Sequence, residues 1–128
     1  MKQIGIGLAG FGTVAAGVYK HLALNRALLS ERLGLTLEVR RIAVRDLKKA
    51  RSVQAPADLL TTDWKQVVDD PAVQIVVELM GGIEEARALI VRAIEAGKIV
   101  VTGNKALLAE HGKEIFDLAN AKQVPVFF

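Results

Sequence analysis

The chain contains no cysteine, only three prolines and two histidines, and few aromatic residues: four Phe, one Tyr and one Trp among 128 residues. Without cysteine there is no disulfide scaffold, thiolate metal site or cysteine nucleophile, and a reducing cytoplasmic setting is the natural expectation. With only His21 and His111 available, a histidine-rich metal centre is excluded too, and no metal site is expected. Lys and Arg outnumber Asp and Glu by 17 to 14, yet no basic block exceeds a pair such as Lys48-Lys49. Scattered cations and so few rings offer no platform for nucleic acid.

What is abundant is apolar surface: 52% of the residues are hydrophobic and the mean hydropathy is +0.32. The length suits one domain with a real core. The most membrane-like stretch runs from Ile4 to Tyr19, has no charge and follows Lys2. It has the outline of a signal peptide, with Ala15-Ala16-Gly17 at a cleavage-like position. It is also shorter than the roughly 20 residues of a membrane span, and Gly5, Gly7, Gly10, Gly12 and Gly17 interrupt it. The glycine spacing fits a different reading, and no membrane association is expected.

Gln3 to Ala9 reads as a strand apolar on both faces, Gly10 to Gly12 as a turn, and Thr13 to about Leu29 as a helix with Val14, Val18, Leu22 and Leu28 at helical spacing. Leu35 to Val44 is a second strand. Arg45 to Ala55 looks like a loop with a weak helix. Asp63 and Gln66 form a capping pair for a short helix, Trp64 to Val68, which stops at Asp70-Pro71. Val73 to Leu79 is a buried strand, Met80-Gly81-Gly82 a second glycine turn, and Ile83, Ala86, Leu89, Ile90, Ala93 and Ile94 mark one face of a helix ended by Gly97. Lys98 to Thr102 is a strand, Lys105 to about Lys122 helical with a break expected near Gly112, and Val124 to Phe128 a last strand. This alternation implies an α/β fold, a Rossmann-type doubly wound parallel sheet of about five strands with helices on both faces.

Gly10-Phe11-Gly12-Thr13-Val14-Ala15 is a G-x-G-x-x-A fingerprint at the first strand-to-helix junction. Gly10 permits the tight turn, Gly12 lets a pyrophosphate approach the backbone, and the small Ala15 lets the helix pack on the strand. The amides of Thr13 and Val14 and the positive helix end would face that phosphate. At the end of the second strand Arg45 would accommodate the 2'-phosphate of NADP, whereas an acid there would favour NAD. Asp46 stands beside it, and Arg45, Lys48 and Lys49 are alternatively ordinary solvated charges. Met80-Gly81-Gly82 and Thr102-Gly103-Asn104-Lys105 follow later strands, where ligands bind in such sheets. Each is alternatively a plain turn before a helix. Lys105 could contact cofactor, hold a substrate carboxylate or exchange a proton with an alcohol; otherwise it is an exposed lysine after an Asn104 N-cap. His21, His111 and Trp64 are expected to solvate, cap or pack, and Glu84 and Glu85 to suit a helix dipole.

Together GFGTVAAGV, VVELMGG and VVTGNKALLAEHG resemble the N-terminal cofactor domain of homoserine dehydrogenase, in order and through essentially the whole chain. Ala15 stands where most members carry a third glycine, and Gly103 where the family usually has Ala. The resemblance implies NADP, with NAD as an alternative, and hydride transfer between L-aspartate 4-semialdehyde and L-homoserine on the way to threonine and methionine. It implies that Gly10, Phe11, Gly12, Thr13 and Val14 hold the pyrophosphate side, Arg45 the 2'-phosphate, and Met80, Gly81, Gly82, Thr102 and Asn104 the nicotinamide side. Lys105 matches the lysine lying between cofactor and substrate, the catalytic candidate. The family's substrate and dimerisation domain is missing from these residues. Residues 1–128 are therefore expected to be one NAD(P)-binding domain of a longer, homo-oligomeric enzyme, inactive by itself. A stand-alone NAD(P)-sensing module, or another amino-acid or semialdehyde dehydrogenase sharing this domain, are the other readings.

Overall fold

A computed structural model describes residues 2–48 and 53–128. The chain runs β1 (Lys2–Ala9), α1 (Thr13–Leu24), α2 (Arg26–Leu33), β2 (Leu35–Ala43), a 3-10 turn (Ala57–Leu59), β3 (Leu60–Thr61), α3 (Trp64–Asp69), β4 (Ile75–Glu78), α4 (Glu84–Glu95), β5 (Ile99–Thr102), α5 (Lys105–Lys122) and β6 (Val126–Phe127). All strand pairs are parallel, and the sheet order is β3-β2-β1-β4-β5-β6. The order therefore reverses between β1 and β4, which is where doubly wound sheets open a crevice beyond their strand ends.

Side chains alternate across a strand, so neighbouring residues of β1 and β4 enter different cores. Ile6, Leu8 and Val77 join Ala15, Ala16 and Phe11 beneath α1. Ala9 and Val76 join Val68, Leu89, Ile90, Ile94, Leu107 and Ile115 from α3, α4 and α5 on the other face. Burial on both faces accounts for the high hydropathy, each fully buried Leu or Ile contributing about 1.5–3 kcal/mol. The uncharged stretch from Ile4 to Tyr19 is β1, the turn after it and the start of α1. Among the described residues no helix is long and apolar enough to cross a membrane.

Several boundaries differ from the sequence expectation. The sheet has six strands rather than five, because β3 pairs with Ile42 and Ala43 through only two residues, too few to display a period. The first helix does not run on to Leu29: Asn25 ends α1, its side-chain amide donating to the His21 carbonyl at 2.9 Å, and α2 then runs to Leu33, with Gly34 as its C-cap. Val14 and Leu28, read as part of its apolar face, are 65% and 45% exposed. The weak helix expected between Arg45 and Ala55 falls on a segment whose middle, Lys49 included, lies outside the described residues. Asp63 does cap α3, accepting from the Lys65 amide at 3.0 Å, but Gln66 accepts from the Thr61 hydroxyl instead of completing a capping box. The helix α5 is unbroken, with Gly112 buried in it.

The turn between α3 and β4 is held from several sides. Asp70 accepts from the Ala72 amide at 2.8 Å and from Arg41 Nε at 3.1 Å, while the Lys98 ammonium donates to the carbonyls of Asp70 and Val73. The Ala72 amide first, and Arg41 with it, hold the Asp70 carboxyl below its ordinary range. This fixed turn lies so close to β1 that a Cβ on Gly5 would fall 1.6 Å from the Ala72 carbonyl oxygen. Gly5→Ala is therefore expected to cost about 1–3 kcal/mol or more, as overpacking against backbone. Gly17→Ala, in the interior of α1 with open space around its Cβ, should instead stabilise by about 0.5–1 kcal/mol. Denaturant midpoints of the two variants test this, and an unshifted Gly5→Ala midpoint would show that the turn yields.

Candidate cofactor-binding site

The strand ends converge on the turn after β1. The Gly10 amide donates to the Ala43 carbonyl of β2 at 2.9 Å, and the Leu79 amide beyond β4 donates to the Ala9 carbonyl at 2.9 Å. Gly10 has φ +103, and a Cβ there would lie 3.0 Å from the Leu79 carbonyl oxygen, so both backbone and space demand glycine. Gly12 is different. Its φ of −77 is open to any residue, and a Cβ would meet nothing within 4 Å. Neither fold nor packing requires glycine at this position; its effect is to leave the floor of a cleft bare.

That cleft, about 430 Å³, occupies the switch point. Gly10, Gly12 and Thr13 line it from the β1–α1 turn, Val44, Arg45 and Asp46 from beyond β2, Leu79 and Met80 from beyond β4, and Thr62, Trp64 and Glu85 from the segment after β3 and the starts of α3 and α4. Among the described residues no side chain caps the N-terminus of α1, which opens at Gly12. An uncapped helix end beside a bare glycine is the arrangement that binds a phosphate. Phe11 is buried and packs edge-on against Tyr19 at 5.8 Å, anchoring the turn. Ala15 is 1% exposed, so its methyl fits between α1 and the sheet. Arg45 is exposed at the end of β2 and has no ion-pair partner among the described residues, whereas Asp46 accepts from the Lys48 amide at 2.8 Å.

A second group lies beyond β4 and β5. Gly81 and Gly82 are exposed with φ of +76 and +75. Thr102 and Asn104 are buried, and Asn104 is the N-cap of α5, its Oδ1 accepting from the Leu107 amide at 3.0 Å. Lys105 opens α5 and is exposed. The structure thus brings Gly10, Phe11, Gly12, Thr13, Arg45 and Met80 to one cleft. It places Gly81, Gly82, Thr102, Asn104 and Lys105 at the next strand ends and leaves Val14 on the outer side of the first turn of α1.

Trp64, expected only to pack, both packs on the core and lines the cleft, and Glu85 borders it from the first turn of α4. His21 is exposed on α1, while His111 lies 3.9 Å from Glu110 and 3.6 Å from Glu114 on α5. The carboxyl groups held below their ordinary range belong to structural pairs outside the cleft: Asp69 beside Arg92, Asp70, and Glu114 beside Arg87. Among the described residues no group of three or more His, Asp or Glu could hold a metal ion. Sequence reasoning missed Glu78, completely buried at the end of β4; the available signal was a single acid in the apolar strand VQIVVEL.

Strand order, the glycine turn and a bare-floored crevice at the switch point define a dinucleotide-binding doubly wound domain. Residues 10–128 match the family model described as homoserine dehydrogenase, NAD binding domain, and the chain belongs to that family. It is 41% identical to the homoserine dehydrogenase of Bacillus subtilis over 96% of this chain, and 46% identical to that of Corynebacterium glutamicum over 99% of it. It spans only 28% of the length of each of those curated relatives. The crystal structure of a homoserine dehydrogenase from Thiobacillus denitrificans superposes over the whole chain with a TM-score of 0.91 at 49% identity, the match covering 30% of that protein.

Removal of the Asn104 side chain deprives α5 of its cap. Asn104→Ala is expected to lose about 0.5–2 kcal/mol of stability, read as a lower denaturant midpoint; an unchanged midpoint would mean that another group caps the helix.

Proposed function

We propose that the chain is the NADP-preferring cofactor domain of a dehydrogenase, residues 1–128 of a longer homo-oligomeric cytoplasmic enzyme that interconverts L-aspartate 4-semialdehyde and L-homoserine. The observation that carries the cofactor reading is the contrast between Gly10, whose glycine the fold requires, and Gly12, whose glycine neither backbone nor packing requires and which leaves the cleft floor open for a ligand. On this reading Gly10, Phe11, Gly12, Thr13 and Val14 take the pyrophosphate on the backbone and the α1 dipole. Arg45, exposed and without a carboxylate partner among the described residues, pairs with the 2'-phosphate. Met80, Gly81, Gly82, Thr102 and Asn104 border the nicotinamide side. The bound nicotinamide supplies hydride chemistry. Lys105 stabilises negative charge on the substrate oxygen and delivers a proton to it from Nζ. The residues that hold the substrate lie in the part of the enzyme outside this chain, so the chain binds cofactor without turnover.

Trp64 is the only tryptophan and lines the cleft, so its fluorescence reports binding directly. Titration should show saturable binding of NADPH, tighter than NADH. Arg45→Ala should weaken NADPH by about tenfold, the loss of one charge-assisted contact, and leave NADH unchanged. Gly12→Val should abolish binding of both while leaving the domain folded, at a stability cost of about 1 kcal/mol for Val at a helix N-cap. No binding of either cofactor at about 1 mM would overturn the reading, and equal losses in Arg45→Ala would remove Arg45 from it.

In the full-length enzyme Lys105→Ala should lower kcat by about 100-fold or more, as for loss of a positioned acid, with cofactor affinity and folding retained. Near-normal turnover would reduce Lys105 to a surface residue.

A further inference from the structure

The end of β4 carries a group that the cofactor reading does not use. Glu78 is 0% exposed in a strand otherwise made of Ile and Val. Burying a carboxyl group costs several kcal/mol unless its oxygens are partnered, and here both are. One oxygen accepts from the Met80 amide at 2.9 Å, the other from the Thr102 hydroxyl at 2.6 Å. The Thr102 oxygen in turn accepts from the Asn104 amide at 3.1 Å, and the Asn104 side-chain amide donates to the Gly82 carbonyl at 2.5 Å. The contacts close a ring: Glu78, Met80 to Gly82, Asn104, Thr102 and back to Glu78.

The ring is not needed to align the strands. Glu78 and Thr102 are already partners in the β4–β5 ladder, and the Gly103 amide already donates to the Glu78 carbonyl at 3.1 Å. What the side chains add lies beyond the ladder, at the Met80 amide, the Gly82 carbonyl and the Asn104 amide. The loop between Met80 and Gly82 contains two glycines with positive φ, and these contacts tie both of its ends. Lys105 follows Asn104 directly, so its Cα is placed by the same ring.

We infer that Glu78 is a positioning residue: through Thr102 and Asn104 it locks the Met80–Gly82 loop to the N-terminus of α5, making one rigid lip on the nicotinamide side. The inference rests on the cofactor reading above. A fully satisfied buried polar network holds a single arrangement more firmly than an apolar one of the same shape. That would explain an acid where Val or Ile would pack at lower cost. The floor at Gly10 and Gly12 and the wall at Arg45 take no part in the ring, so the adenosine half of a dinucleotide should not feel its loss.

The test compares two ligands on the 128-residue chain by calorimetry: NADPH, and adenosine 2',5'-bisphosphate, which lacks the nicotinamide half, with NADH and ADP-ribose run alongside. Thr102→Val removes the hydroxyl at nearly constant shape and should weaken NADPH by about tenfold, the value of one buried hydrogen bond, with the adenosine ligand changed by less than about twofold. Glu78→Gln should act in the same direction, and Thr102→Ser, which keeps the hydroxyl, should restore NADPH affinity. Equal weakening of both ligands would make Glu78 a general stabiliser and overturn the inference, as would no weakening of either. Wild-type chain that binds neither dinucleotide nor its adenosine half would overturn the cofactor reading, and this inference with it.

Discussion

At the switch point three strand ends meet in a space with no room for a side chain. The Gly10 amide is bound to Ala43 of β2, its Cα faces the Leu79 carbonyl beyond β4, and Leu79 is itself tied back to Ala9. The ends of β1, β2 and β4 are thereby fixed relative to one another, and the chain must leave β1 through a left-handed residue and begin α1 within three positions. The rest follows from that constraint. The helix starts pointing at the crevice, small residues at Ala15 and Ala16 let it settle on the sheet, and Phe11 closes the far side of the turn against Tyr19.

The two sides of the site are built on opposite physical plans. Around Gly10 and Gly12 the cleft is defined by missing atoms: no Cβ on the floor, no cap on α1, no carboxylate on Arg45 among the described residues. Beyond β4 and β5 it is defined by filled hydrogen bonds among Glu78, Met80, Thr102, Asn104 and Gly82. The first plan leaves donors and space for a ligand to satisfy; the second leaves nothing to adjust. A Cβ at Gly103 would meet Leu79 Cδ2 at 2.8 Å, the movable end of a side chain. Glycine at this position therefore bears on side-chain packing more than on the backbone.

Elements with a strong local signal were legible in the residues. The face Ala86, Leu89, Ile90, Ala93 and Ile94 is buried as its spacing requires, and Asp63 and Asn104 cap the helices they precede. Where the structure departs from the expectation, the deciding contact lies outside the motif that suggested it or the element is too short. Two residues of β3 carry no period and exist as a strand only through β2. Gln66 turned to Thr61 because that hydroxyl lay in reach. Gly112 did not break α5, since a helix packed along its length tolerates a glycine whose cost is about 1 kcal/mol. Glu78 gave no sign of its importance beyond being an acid among Val and Ile, because its hydroxyl partner Thr102 comes 24 positions later.

By itself the amino-acid sequence determined the alternation of strand and helix, the glycine turn that opens α1, the arginine that ends β2 and the helix caps. Each of these is set by residues within a few positions of one another. Tertiary structure alone decided the six-strand order, the entry of Trp64 and Glu85 into the cleft, and the ring that ties Met80–Gly82 to α5. Those depend on which strand lies beside which, and a pattern of alternating elements is compatible with more than one such arrangement. The difference between Gly10 and Gly12 belongs to both levels: the motif names two glycines, and only the packed structure shows that the fold needs one and leaves the other bare.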